Sequence, residues 1–160
     1  MQIKLIFVGE ASSVYKNAIA EYEKRLEPFC SFESVCIKES RLDDRAGANA
    51  AEIKKALEKE ADAIRAHIPA GAYKAAMCIE GRPFSSEEFS LLFEKISLNG
   101  KSKAAFIIGS SHGLDEKLKN ECDLRLSMSR MTFPHQLARL MLTEQIYRAF
   151  SITSGIKYHK

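Results

Sequence analysis

Apolar residues alternate along the chain between short, nearly continuous runs and a helical period. Ile3, Leu5, Phe7 and Val8 form a first strand-like run, and Val14, Ala18, Tyr22 and Leu26 then recur every fourth residue, which predicts an amphipathic helix halted before Pro28. Phe32 to Ile37 reads as a second strand, and Lys38 to Ala48, polar and charged, as a loop. Ala50, Ile53, Leu57, Ala61 and Ile64 mark a long helix that ends near Pro69-Ala70-Gly71. Tyr73 to Ile79 follows as a third strand. Ser85 with Glu88 three residues later is a capping box, and Phe89, Leu92, Phe93 and Ile96 trace one helical face up to Asn99-Gly100. Ala104 to Ile108 is a fourth strand, Asp115 caps a short helix through Glu121, and Leu124 to Ser127 is a short fifth strand. A loop from Met128 to Pro134 leads into a last helix at about His135 to Ile152.

Strand and helix thus alternate from end to end, and right-handed crossovers then require a mostly parallel sheet covered on both faces, an α/β fold. No repeat or low-complexity linker interrupts it, so residues 1–160 read as one compact domain. The last helix is apolar almost all round: Leu137, Leu140, Met141, Leu142, Ile146, Tyr147, Phe150 and Ile152 cannot all face one sheet. It needs a second partner surface, either that of another copy in a homodimer or a further layer of its own chain.

Composition narrows the classes. With 46% hydrophobic and 28% charged residues among 160, a disordered chain is excluded. No apolar stretch approaches the ~20 residues of a membrane helix, and the first strand lacks a signal-peptide pattern, so a cytoplasmic protein with no membrane partner is expected. Cys30, Cys36, Cys78 and Cys122 lack C-x-x-C spacing, which predicts buried, reduced thiols and no metal site. Charge is uneven: residues 1–124 carry 18 basic and 20 acidic side chains, net −2, whereas Arg125, Arg130, Arg139, Arg148, Lys157 and Lys160 face only Glu144 in residues 125–160, net +5. That segment is a footprint for a polyanion or simply a solvated basic face.

Two chemistries compete for the same loop. Gly109-Ser110-Ser111-His112-Gly113 satisfies G-x-S-x-G after a strand, with Ser111 as nucleophile and Asp123 and then His135 or His159 downstream in hydrolase order. Against it stand the short chain, the short charged helix that follows, and the lack of an oxyanion-hole glycine cluster. Alternatively, glycines at a strand's carboxyl end admit a ligand to the backbone, where open α/β sheets bind. Three strand ends carry such signals: Met77 to Gly81, Ile107 to Gly113, and Leu126 to His135. Neither G-x-G-x-x-G nor a P-loop occurs, so the ligand is not expected to be held by phosphates. His67 and His112 read as surface or capping residues, and the tail from Ser154 to Lys160 combines an aromatic, an imidazole and two ammonium groups.

Taken together, Ile108-Gly109 to Gly113-Leu114, Leu126-Ser127, Met131-Thr132-Phe133-Pro134-His135, Glu144-Gln145-Ile146-Tyr147-Arg148-Ala149-Phe150 and the terminal Tyr158-His159-Lys160 closely resemble the ribosomal large subunit pseudouridine methyltransferase H family, small bacterial enzymes of the SPOUT class. The similarity spans the whole chain. It implies a trefoil-knotted α/β fold with the knot in about residues 104–160, and a homodimer packed through the long C-terminal helix. It further implies S-adenosylmethionine as methyl donor without a metal, and methylation of N3 of pseudouridine 1915 in helix 69 of 23S rRNA on the assembled ribosome. Carried over by position, Met77, Gly109, Met128, Ser129, Arg130, Met131, Thr132 and Phe133 are the expected cofactor residues. Two positions depart from the family pattern, Ser110 in place of a second glycine and Met77 in place of leucine; in addition, Cys78 stands where many relatives have an acid, with Glu80 two residues on.

Methyl transfer to an imide nitrogen needs alignment and removal of the N3 proton. His159 is therefore expected as proton acceptor or base-edge contact, Tyr158 as an orienting group and Arg139 as an electrostatic stabiliser, with Lys157, Lys160 and Arg148 binding RNA. A knotted dimer that binds S-adenosylmethionine or RNA without turnover is the non-enzymatic alternative.

Overall fold

The computed structural model describes residues 1–10, 13–42 and 47–158. Five strands, β1 (Gln2–Val8), β2 (Ser31–Ile37), β3 (Tyr73–Pro83), β4 (Lys103–Ile108) and β5 (Leu124–Ser127), alternate with α1 (Ser13–Leu26), α2 (Ala50–His67), α3 (Ser86–Leu98), α4 (Glu116–Asn120) and α5 (His135–Thr153). All strand pairs are parallel, in the order β2-β1-β4-β3-β5. The expected alternation and parallel sheet are present. The central strands β1 and β4 are almost wholly buried, as parallel strands covered on both faces must be.

Each face has its own core. Ile6, Val8, Ala76, Ala105 and Ile107 point to one side, against Ala61 and Ile64 of α2 and Leu118 of α4. Ile3, Leu5, Phe7, Phe106 and Ile108 point to the other, where α1, α3 and α5 pack. There Phe106 is fully buried beneath Phe89 and Phe93, with ring centroids at 5.8 and 5.9 Å, and Phe93 continues to Phe150 at 5.1 Å. Helix starts are fixed locally: Asn49 and Ser85 both form capping boxes, with Glu52 and Glu88, and the Asp115 carboxylate accepts from the Leu118 amide. The Asn49 box was not among the expected signals.

Two expectations are revised. First, much of the apolar girth of α5 is used within the chain, because the helix lies between α1 and α3 over the sheet: Leu142, Ile146 and Ala149 are buried while Tyr147 and Phe150 meet Phe29. Leu137, Leu140, Met141 and Ile152 remain half-buried. Second, the thiols are not uniformly buried. Cys30 is buried, Cys78 and Cys122 are partly so, and Cys36 is exposed on the edge strand β2, its Sγ donating to the Gly9 carbonyl at 3.2 Å. Burial pushes Cys30 and Cys122 up to about 11, and Cys36 is also raised by desolvation, so none has thiolate character at neutral pH.

Strand β3 is longer than its apolar run. Met77 and Arg82 both register with Leu126, so residues 78–81 are extruded as a bulge before pairing with β5 resumes. The chain after β5 takes an unusual course: β5 is the edge strand beside β3, yet α5 begins at the end of β1, where a Cβ on Gly9 would lie 2.9 Å from His135 Nε2. Residues 128–134 therefore recross the carboxyl ends of β3 and β4.

Replacing Phe106 by Ala should remove the keystone of the three-helix face and cost about 3–5 kcal/mol. Urea unfolding would measure it, and a loss under about 1 kcal/mol would show the face to be loosely packed.

Candidate active site

Where the chain recrosses the strand ends it closes a cleft of about 830 Å³. Its walls come from the β3 bulge (Met77, Cys78, Ile79, Glu80), the loop after β4 (Gly109 to Leu114), Lys119 of α4, and the crossing segment with the start of α5 (Met128, Ser129, Met131 to His135, Ala138). Seven of the eight expected cofactor residues line it: Met77, Gly109, Met128, Ser129, Met131, Thr132 and Phe133. Arg130 belongs to the same segment but is exposed and outside the lining.

The loops are held by short-range bonds that the spacing did not reveal. The Ser127 hydroxyl donates to the Ser129 carbonyl at 3.0 Å, and the Ser129 hydroxyl accepts from the Met131 amide at 3.0 Å, which folds residues 127–131 into a tight hook. After β4, the Gly113 amide donates to the Ser110 carbonyl at 2.9 Å and the two residues form an antiparallel bridge. Gly109 is required there, because a Cβ would lie 2.1 Å from the Gly113 oxygen. Ser110 does not strain this turn, since no described non-glycine residue has a positive φ. Gly81 is similarly confined, with a Cβ 2.7 Å from the backbone of Arg125 and Leu126.

A hydrolase is not what this loop builds. Ser111 occupies no strained elbow, and the carboxylate of Glu39 takes its hydroxyl directly at 3.2 Å instead of orienting a histidine; the nearest imidazole nitrogen is Nδ1 of the adjacent His112 at 3.1 Å. Asp123, the expected acid, lies at the start of β3, accepting from the Lys74 amide at 2.7 Å and paired with Lys101 at 3.0 Å. His135 does line the cleft.

The other expected catalytic and RNA-contacting residues are distributed elsewhere. Arg139 is buried, stacked 4.0 Å over Phe7 and paired with Glu23 at 3.2 Å, and does not reach the cleft lining. Tyr158 packs edge-on against Tyr147 at 4.8 Å, and its hydroxyl lies 3.3 Å from that of Tyr22 and 3.2 Å from Glu144. Burial, the Tyr22 hydrogen bond and the Glu144 carboxylate all raise Tyr158, which stays a protonated hydroxyl. Arg148 is paired with Glu144 and lies 4.8 Å over the Tyr158 ring, so its charge is partly offset. Lys157 is exposed. His159 and Lys160 lie outside the described residues.

Beside the Tyr158 cluster runs a second cavity of about 630 Å³, lined by Tyr22, Phe84, Phe89, Leu140, Met141 and Glu144 among others. It shares Met77, Leu126 and Met128 with the cleft, and Tyr158 lies outside the lining of both. Among the described residues no group of three or more His, Cys, Asp or Glu could hold a metal ion, and no helix is long and apolar enough to cross a membrane.

A parallel sheet whose last segment recrosses the strand ends to close a cleft, then returns between two earlier helices, defines the knotted α/β class of methyltransferases. The chain belongs to the SPOUT methyltransferase family: the family described as Predicted SPOUT methyltransferase matches residues 1–159. Relatives named Ribosomal RNA large subunit methyltransferase H from Streptococcus pyogenes serotype M18 and Streptococcus uberis are each 45% identical over 161 residues, covering all of this chain and all of each relative. Among solved structures, a probable methyltransferase from Bordetella pertussis superposes with a TM-score of 0.56 at 16% identity, covering 93% of this chain and 96% of that one. A probable methylase family protein from Haemophilus influenzae gives 0.54 at 16% identity, covering 99% of this chain and 70% of that one. At such identity these structures share the fold.

Glycine geometry yields a ranking. Gly109→Ala forces backbone apart and should cost about 1–3 kcal/mol or more, whereas Gly113→Ala, at φ +86 in open space, should cost about 1–2 kcal/mol from its backbone angle alone. Urea midpoints measure both, and the reverse order would contradict the described loop.

The carboxylates paired around α4 give a pH dependence. The Lys119 ammonium holds Glu80 below the usual carboxylate range, Lys119 and Arg125 do the same for Glu116, and Arg65 for Glu121. Their contribution is present above about pH 4.3 and is lost as pH falls through the lowered folded values. The melting temperature should be flat from pH 6 to 5 and fall below about pH 4.5; a melting temperature unchanged at pH 3.5 would mean these pairs add nothing.

Proposed function

We propose that this methyltransferase acts on ribosomal RNA of the large subunit, moving a methyl group from S-adenosylmethionine to N3 of pseudouridine 1915 in helix 69 of 23S rRNA, on the assembled ribosome, in the cytoplasm and as a homodimer. The observation that carries the reading is the convergence of Met77, Gly109, Met128, Ser129 and Met131 to Phe133 on one cleft. The full-length similarity to relatives named as rRNA large subunit methyltransferases supports the substrate class.

The cleft suits the donor. Its volume falls within the range of small-molecule sites, its walls are largely apolar side chains, and the backbone of its two loops provides amides and carbonyls for an adenine edge. When bound, S-adenosylmethionine supplies an electrophilic sulfonium methyl. Met77, Leu126, Met128 and Phe133 exclude water from its apolar parts, and the hook at Ser127 to Met131 keeps the loop in one shape before binding, so little ordering entropy is lost on association.

The protein's remaining tasks are to align the base and accept the N3 proton. Tyr158, protonated and fixed by Tyr22, Glu144 and Arg148, suits orientation by hydrogen bond or stacking and not proton removal. His159, the next residue, is the proposed proton acceptor. Lys157, Lys160 and Arg148 are proposed for the RNA backbone, and Arg139 supports α5 through Phe7 and Glu23 in place of the stabilising role expected for it. Since Tyr158 lies outside the lining of its own cleft, the tail is proposed to serve the cleft of a second copy, docked through the half-buried Leu137, Leu140 and Met141 of α5. A net charge of only +3 favours recognition of ribosomal shape over tight binding of free RNA.

The test is incubation with methyl-labelled S-adenosylmethionine and ribosomes lacking the modification, with the label mapped by mass spectrometry. Label on the helix 69 pseudouridine is expected; label elsewhere would overturn the site, and cofactor binding without any transfer would leave a non-catalytic binding dimer. Deleting residues 158–160 should abolish transfer while cofactor affinity changes less than twofold. Simultaneous loss of both would contradict the division of labour between cleft and tail.

A further inference from the structure

The bulge in β3 has a chemical use that rests on the reading of the cleft as a nucleoside site. Its four residues, 78–81, are pushed out of register against Leu126 and locked by Gly81 against the backbone of Arg125 and Leu126. This fixes Glu80 at the cleft wall. Among the described lining residues Glu80 is the only carboxylate and Lys119 the only ammonium. Lys119 Nζ lies 2.5 Å from Glu80 Oε1 and 2.7 Å from Glu116 Oε2, and its side chain is only 13% exposed. Two carboxylates thus occupy the one ammonium, which leaves no free cation there for an anionic ligand. Arg125, at 4.0 Å, also faces Oε1. Both cations therefore approach the carboxylate at Oε1, and neither is paired with Oε2.

We propose that Glu80 accepts the vicinal ribose hydroxyls of the methyl donor through Oε2, with Lys119 as the positioning residue that fixes the carboxylate by holding Oε1. An ionised carboxylate accepts from a diol as acidic residues do in dinucleotide sites, and it repels phosphate. The same group therefore selects an unphosphorylated nucleoside in a cleft that has no phosphate-binding loop. The Lys119 hydrogen bond that holds Glu80 below the usual carboxylate range keeps it charged across the physiological range.

Calorimetric titration with S-adenosylhomocysteine and its 2′-deoxy and 3′-deoxy analogues tests this without turnover. Glu80→Gln should weaken the parent ligand about 10- to 100-fold, as expected for loss of a charged hydrogen bond. At least one deoxy analogue should lose a comparable factor on the wild-type protein, yet bind Glu80→Gln about as well as the parent does. Lys119→Met should show a smaller loss that likewise disappears with that analogue, which a merely structural change would not produce. Glu80→Asp, which keeps the charge and shortens the reach, is the second variant if Glu80→Gln fails to fold. Parent affinity within twofold of wild type, or the same deoxy penalty in wild type and variant, would overturn the assignment. Failure of the wild-type protein to bind S-adenosylhomocysteine at all would instead overturn the reading of the cleft on which it rests.

Discussion

Seven residues must connect the edge strand β5 to a helix that starts over β1, and the site depends on that span. Three strand spacings separate the two positions, about 14 Å across the sheet, and seven residues reach at most about 25 Å. Within that reach residues 128–134 cross the carboxyl ends of β3 and β4, where Met128, Ser129 and Met131 to Pro134 line the cleft. This course leaves room for a cleft and dictates which loops wall it. The two tightest glycines sit where other backbone must pass: Gly109 beside Gly113, and Gly81 beside Arg125 and Leu126.

The returning helix is held by packing and by a few polar contacts. Leu142, Ile146 and Ala149 meet the sheet, Phe150 joins the Phe93 and Phe106 cluster, and Arg139 lies over Phe7 while paired with Glu23. Buried hydroxyls on α5 are satisfied within the helix, Thr143 by the Arg139 carbonyl and Ser151 by that of Tyr147. The helix end therefore presents Tyr158 in a fixed setting of Tyr22, Tyr147, Glu144 and Arg148. Cleft and tail cluster are separate parts of the chain, Tyr158 lying outside the cleft lining, and the proposed dimer joins one part to the other across copies.

The charge pattern acquires a different meaning in three dimensions. The C-terminal segment carries a net +5 by sequence, yet Arg125, Arg139 and Arg148 are each paired with a carboxylate, two of which come from elsewhere in the chain: Glu116 and Glu23. What looks linearly like a basic tail is in part the structural half of ion pairs. Such pairs add little at the surface, and their larger effect is on which side chains keep acceptor or donor capacity for a ligand.

Sequence alone determined the succession of elements, because each local rule agreed with its neighbours. Burial on both faces made β1 and β4 continuous apolar runs, and Ser85 and Asp115 marked helix starts through hydrogen bonds that reach only three residues. The strings from Gly109 to Gly113 and Met128 to Phe133 pointed to cofactor residues through resemblance, and their meeting in one cleft is a fact of the fold. Tertiary structure decided what linear spacing does not encode. It placed Asp123 at the wrong end of the sheet for Ser111, tied Arg139 to Phe7 and Glu23, and extruded the β3 bulge that brings Glu80 beside Lys119, 39 residues away. Periodicity reports which face of an element is apolar, whereas distances between elements follow from strand order and from the path of one short segment across the sheet.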